Sequence, residues 1–120
     1  MIKANSHEDW SKDANGSSLI DNISLGYHQL VEAFGEPTMA TDGYKVDAEW
    51  HVTFQINDEH AAFVTIYNYK DGKNYLGANG LNVEDITDWH VGGKSRDDLR
   101  VLEDYFEQES VDGVPTRLAY

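Results

Sequence analysis

Gly92-Gly93-Lys94-Ser95 is the nearest approach in this chain to a motif that performs chemistry. A phosphate-cradling loop needs Gly-x-x-x-x-Gly-Lys-Ser/Thr, because successive backbone N–H groups wrap the phosphates and the lysine reaches them. The first glycine would stand at position 88, where Asp88 puts a carboxylate instead. Nucleotide hydrolysis is therefore not expected. What the four residues could still do is capture an anion on N–H groups ahead of a helix, or simply form a flexible turn with a serine cap. The histidines His7, His28, His51, His60 and His90 show no metal-ligand spacing, and without cysteine there is no thiolate site, disulfide or cysteine nucleophile. Asp71 to Gly80 lacks the repeated oxygen ligands of a calcium loop. No metal and no cofactor are expected, and no Ser, His and Asp set marks an enzyme.

Charge is the outlier in composition: 22 acidic against 9 basic residues give a net −13. Such a chain repels nucleic-acid backbones and anionic membranes and is drawn to basic surfaces. The charge is uneven. Residues 84–112 hold ten carboxylates against Lys94, Arg96 and Arg100. A share of 40 % hydrophobic residues is that of a folded domain, and no run approaches the length of a membrane span. The first ten residues carry no apolar segment of the kind that opens a secretory signal, so the expectation is a protein that stays where it is made.

The elements that must position these residues follow from periodicity. Tyr44, Val46, Ala48, Trp50, Val52, Phe54 and Ile56 alternate with Lys45, Asp47, Glu49, His51, Thr53 and Gln55, which predicts a half-buried strand with an apolar underside and a polar, solvent-facing top. Ala61 to Tyr69 returns as a second strand. A four-residue loop would put Phe63, Tyr67 and Tyr69 on the face of Trp50 and Phe54, whereas one residue more would put Ala62, Val64 and Ile66 there and leave the aromatic row outside. Ile86 to Val91 reads as a third strand, with Trp89 and Val91 on one side and Asp88 and His90 on the other. His51 and His90 would meet on the outer face if the first and third strands were neighbours.

Ahead of the strands, Leu19, Ile20 and Ile23 lead into a helix over about Leu25 to Phe34, with Ser24 as N-cap, Tyr27, Leu30, Val31 and Phe34 on one face, and Gly35 and Pro37 closing it. Behind them, Ser95 and Asp98 predict a capping box, and Leu99, Leu102 and Phe106 a helix to about Glu109. Lys70 to Asn82 reads as a loop, residues 1–16 as a mobile arm, and Thr116 to Tyr120 as a candidate edge strand. The expected fold is α+β, a two-layer sandwich of an antiparallel three-stranded sheet, with room for a fourth strand, and two helices on one face in the order α-β-β-β-α. The domain spans 17–120. That order also describes a double-stranded-RNA-binding domain, but its second helix would begin Ser95-Arg96-Asp97-Asp98, the wrong sign for phosphate.

Asp42-Gly43-Tyr44-Lys45-Val46-Asp47-Ala48-Glu49-Trp50, Thr65-Ile66-Tyr67-Asn68-Tyr69-Lys70-Asp71-Gly72 and Asp88-Trp89-His90-Val91-Gly92-Gly93, preceded by Leu30-Val31-Glu32-Ala33-Phe34-Gly35-Glu36-Pro37, resemble a family of small uncharacterised bacteriophage-encoded proteins. The likeness spans about Leu19 to Ser95. It implies a viral origin and action in the host cytoplasm, and it carries no functional residue.

Two surfaces are candidates for recognition. Glu103, Asp104, Glu107 and Glu109 fall largely off the apolar stripe of the last helix and, with Asp97 and Asp98 at its start, form either a solubilising face or a nucleic-acid-like surface for a basic groove on a host protein such as a nuclease or CRISPR effector. The expected activity is then non-enzymatic inhibition of a host defence. The alternative is a sponge for a small nucleotide signal. Its ligand site would be Lys45, Phe63, Tyr67, Tyr69, Lys70, Trp89, His90, Gly92, Gly93 and Lys94, since rings stack on bases while N–H groups and lysines hold phosphate. A homo-dimer is compatible with the same aromatic surface, and a small hydrolase is the remaining alternative.

Overall fold

The computed structural model describes residues 2–7, 18–37 and 47–109. Within these residues five antiparallel strands form one sheet: β1 (Lys3–His7), β2 (Ser18–Ser24), β3 (Glu49–Gln55), β4 (Ala61–Tyr67) and β5 (Asp88–Gly93), in the spatial order β1-β3-β4-β5-β2. Helix α1 (Tyr27–Phe34) follows β2, the short α2 (Lys73–Leu76) lies between β4 and β5, and α3 (Arg96–Glu109) follows β5. The class is α+β, as the periodicities implied. The strand count and the helix arrangement differ from the expected order, because two edge strands and a third helix are added.

Both added strands were hidden for physical reasons. Lys3–His7 lies within the stretch read as a mobile arm, yet it pairs with β3, Ala4 opposite Phe54 and Ser6 opposite Val52. Its inward residues are small, so it prints no apolar alternation. It is held instead by polar bonds: the Gln108 side chain accepts from Ile2 N–H and donates to Ile2 C=O, both at 2.8 Å, and Ser6 Oγ donates to Phe34 O at 2.7 Å. Leu19, Ile20 and Ile23, read as a lead-in, belong to β2 against β5, whose register shifts between Leu19 and Asp21. A bulge of this kind breaks the period that would have announced the strand. Ser24 ends β2 opposite Asp88 and is not the helix cap. Gly26 takes that place, and Gln29 Oε1 accepts its N–H at 2.8 Å.

The long first strand is described from Asp47 onward, and its pairing resolves the register. Trp50 faces Ile66, Val52 faces Val64 and Phe54 faces Ala62, so the connection is the five residues Ile56 to His60 and the longer-loop alternative holds. The inner face therefore carries Trp50, Val52, Phe54, Ala62, Val64, Ile66, Trp89, Val91 and Ile23, all buried. Leu30 and Phe34 of α1 and Leu99, Leu102, Tyr105 and Phe106 of α3 complete the same core. Phe34 touches both layers, with ring centroids 6.1 Å from Phe54 and 5.7 Å from Tyr105. Two indoles pin α1 at its flanks: Trp89 Nε1 donates to Leu25 O at 3.0 Å and Trp50 Nε1 to Gly35 O at 2.8 Å. Burying an indole is favourable only when its N–H is satisfied, and both are.

The stretch from Lys70 to Asn82, read as a loop, contains α2 and a 3-10 turn at Gly77–Asn79, and a second turn follows at Val83–Asp85. The third strand runs Asp88–Gly93, two residues later than expected, because Ile86 is taken up as the cap of that second turn. Buried Asn68 organises the corner. Its Oδ1 accepts from the N–H of Asp47 (2.7 Å) and Ala48 (3.0 Å), and its Nδ2 donates to the carboxylates of Asp47 (2.9 Å) and Asp71 (3.0 Å). The tail read as an edge strand through Thr116 to Tyr120 lies outside the described residues, as does Lys45.

Candidate functional site

Residues paired across antiparallel strands share a face, so the register also defines the outer side of the sheet. Glu49, Tyr67, His90 and Asn22 form one row, and His51, Thr65 and Gly92 the next. This side is not the open polar top that alternation suggested. His51 is 0 % exposed, with Nε2 2.6 Å from Glu49 Oε2, and its ring meets Phe63 edge-on at 5.6 Å. His51 and His90 are not on neighbouring strands, since β4 runs between β3 and β5.

The proposed ligand residues separate into groups. Tyr67, Tyr69, Lys70 and His90 come together. The Tyr67 and His90 rings stack at 5.4 Å and 22°, Tyr69 stands edge-on to His90 at 5.8 Å, and Lys70 Nζ sits 5.3 Å from the ring centroids of both Tyr69 and Tyr75. Tyr69 is 40 % exposed. Burial first, then the Glu49 charge and Tyr69, push the Tyr67 phenol above its ordinary value, so it stays a neutral donor through the physiological range. The Nδ1 atom of His90 is buried with no hydrogen-bond partner. Lys70 has φ +62°, the single non-glycine residue with positive φ among the described residues. A side chain in that region costs about 1 kcal/mol or more, a strain that surrounding contacts must hold in place. Tyr75, absent from the sequence-derived set, joins through α2; its spacing from Lys70 carried no signal without that helix.

The other members lie elsewhere. Trp89 is fully buried on the inner face, edge-on to Trp50 at 5.4 Å, and offers nothing to a ligand outside. Gly93 also faces inward, where a Cβ would come 2.4 Å from Ile20 Cδ1, while Gly92 faces outward and is buried. Phe63 is buried at the opposite end of β4 from Tyr67. A cleft of about 270 Å³ lies beside it, lined by Thr53, Ala61, Ala62, Phe63, Lys94, Ser95 and Asp98. The N–H groups offered for anion capture are occupied: Asp98 Oδ2 accepts from Lys94 N–H at 3.0 Å and Ser95 N–H at 3.4 Å. The helix brings its own carboxylate, which satisfies those donors and repels another anion.

On α3 the apolar stripe turns Asp97, Asp104 and Glu107 to solvent, with Glu103 half-buried at its margin. The side chain of Glu109 lies outside the described residues. Burial first, then the Asp104 carboxylate, push Glu103 above its ordinary value; Asp21 adds to the rise, and Arg100 and Arg96 oppose it. Arg96 is drawn aside to Asp21 (3.5 Å) and to Ile20 O (3.3 Å), an exposed pair of little worth to stability.

The described residues thus form an α+β fold with an acidic helix on one side of the sheet and an aromatic, histidine-bearing corner on the other. Comparison with protein-family models, curated proteins and solved structures found no match to this chain. Among the described residues no helix is long and apolar enough to cross a membrane, and no three His, Asp or Glu side chains converge as a metal site.

Proposed function

We propose that this chain is a non-enzymatic binding protein that inhibits its partner by seating the solvent face of α3 in a basic groove. The arrangement of α3 carries the proposal: Asp97, Asp104 and Glu107 are exposed on a helix whose other side is locked into the core, so the carboxylates are held at fixed spacing. Glu103, already pushed up by burial and by Asp104, marks repulsion that a cationic groove would relieve. Asp98 is not part of this surface, because its carboxylate is used in capping the helix. Following the resemblance to bacteriophage proteins, the partner is a host defence protein that ordinarily grips nucleic acid, a nuclease or CRISPR effector, met in the host cytoplasm.

The test is purified chain added to such a nuclease or effector at rising salt. Inhibition is expected to weaken as salt screens the surface, and Asp104→Lys with Glu107→Lys is expected to abolish it while leaving the fold intact. Salt-independent inhibition, or a charge-reversed variant as potent as the parent, would exclude the acidic face.

A further inference from the structure

We infer that the corner formed by Tyr67, Tyr69, Lys70 and His90 is a binding site for a single mononucleotide, a planar base carrying a phosphate. The site is on the opposite face of the sheet from α3, and the inference does not depend on the acidic helix.

Four observations converge on one corner. Tyr69 keeps 40 % of its surface exposed although the rings around it are packed, which leaves a π surface on which a base can stack. Lys70 has a left-handed backbone conformation that directs its side chain toward this corner, and its ammonium lies 5.3 Å from the ring centroids of both Tyr69 and Tyr75. His90 stacks on Tyr67, meets Tyr69 edge-on, and retains a buried Nδ1 without a partner. Buried polar atoms in folded proteins are overwhelmingly paired, so an orphan nitrogen sets this corner apart from the packed core. The nearby carboxylates are already engaged: Glu49 with His51 Nε2, Asp71 with Asn68 Nδ2 and Asp88 with Asn22 Nδ2.

The chemistry of these groups selects the ligand. The exposed Tyr69 ring takes the base, the Lys70 ammonium pairs with the phosphate, and His90, stacked on Tyr67, backs the Tyr69 ring from its edge. One fixed cation suits one phosphate group. A polymer would bring a charge at every nucleotide against a chain of net charge −13, and the cations needed to offset them are not assembled here.

The full chain would be titrated with AMP, GMP, CMP and UMP, with adenosine and ribose 5-phosphate as half-ligands, following the His90 and Tyr69 ring signals by NMR. At least one mononucleotide is expected to shift both rings saturably and to bind more tightly than either half-ligand. Tyr69→Ala is expected to weaken it by about tenfold or more, the loss typical of one stacked ring. Lys70→Asn, which tolerates the same backbone, is expected to reduce the nucleotide's affinity towards that of the nucleoside. Ring signals unmoved by millimolar mononucleotide would overturn the inference. So would parental affinity in both variants once their melting curves show them folded.

Discussion

The two faces of the sheet treat polar atoms in opposite ways. On the inner face, the N–H groups of Trp50 and Trp89 find carbonyls at the two flanks of α1, and Phe34, Phe54, Tyr105 and Phe106 close the space between the layers. On the outer face, at the Tyr67 end of β4, rings of similar size surround a histidine nitrogen that has no partner, next to a lysine in a strained conformation. Packing demands account for the first arrangement in full. The second leaves a buried nitrogen unsatisfied, a cost that packing alone does not explain.

Stability measurements can break this comparison. Trp50→Ala removes one of the two inner indoles together with its bond to the Gly35 carbonyl, and is expected to cost about 3–5 kcal/mol in denaturant unfolding. A loss below about 1 kcal/mol would show that the inner face is not the seat of stability. Asn68→Ala leaves two backbone N–H groups and two carboxylate oxygens without their buried partner, an expected loss of about 2–3 kcal/mol by the same measurement. Glu103→Gln tests the acidic helix through pH. A carboxyl whose folded pKa is raised penalises the folded state when ionised; the penalty is present at neutral pH, is relieved as pH falls through the folded pKa, and is gone below the unfolded value. The variant is therefore expected to be more stable than the parent at pH 7, with the two converging below about pH 4. Unfolding curves that differ equally at both pH values would remove the electrostatic account. Smallest of all, Tyr69→Ala should change stability by no more than about 0.5 kcal/mol while changing ligand binding, and a larger loss would move Tyr69 from the recognition surface into the core.

Much of the inner layer was legible because its signals are local. Alternation at Trp50, Val52 and Phe54 and helical spacing at Leu99, Leu102 and Phe106 need no partner to be read. The aromatic corner was half legible. Strand alternation and side-chain chemistry group Tyr67, Tyr69, Lys70 and His90, but they also add Trp89 and Gly93, which face the other way, and Phe63, which lies at the far end of β4. The anion turn misled because the sequence shows where N–H groups are free in principle and not that Asp98 folds back onto them.

By itself the chain determined its α+β class, most of the strand and helix stretches that line the core, and the sign of its charge, since each is written in a period of two, a period near 3.6, or a count of residues. Tertiary structure alone decided that Lys3–His7 and Ser18–Ser24 are edge strands, that five residues join β3 to β4, and that Lys70, Tyr75 and His90 share a corner. The reason is that pairing register and the approach of distant segments depend on loop length and on bonds such as those of Gln108 to Ile2, which join residues 106 positions apart and leave no trace in local pattern.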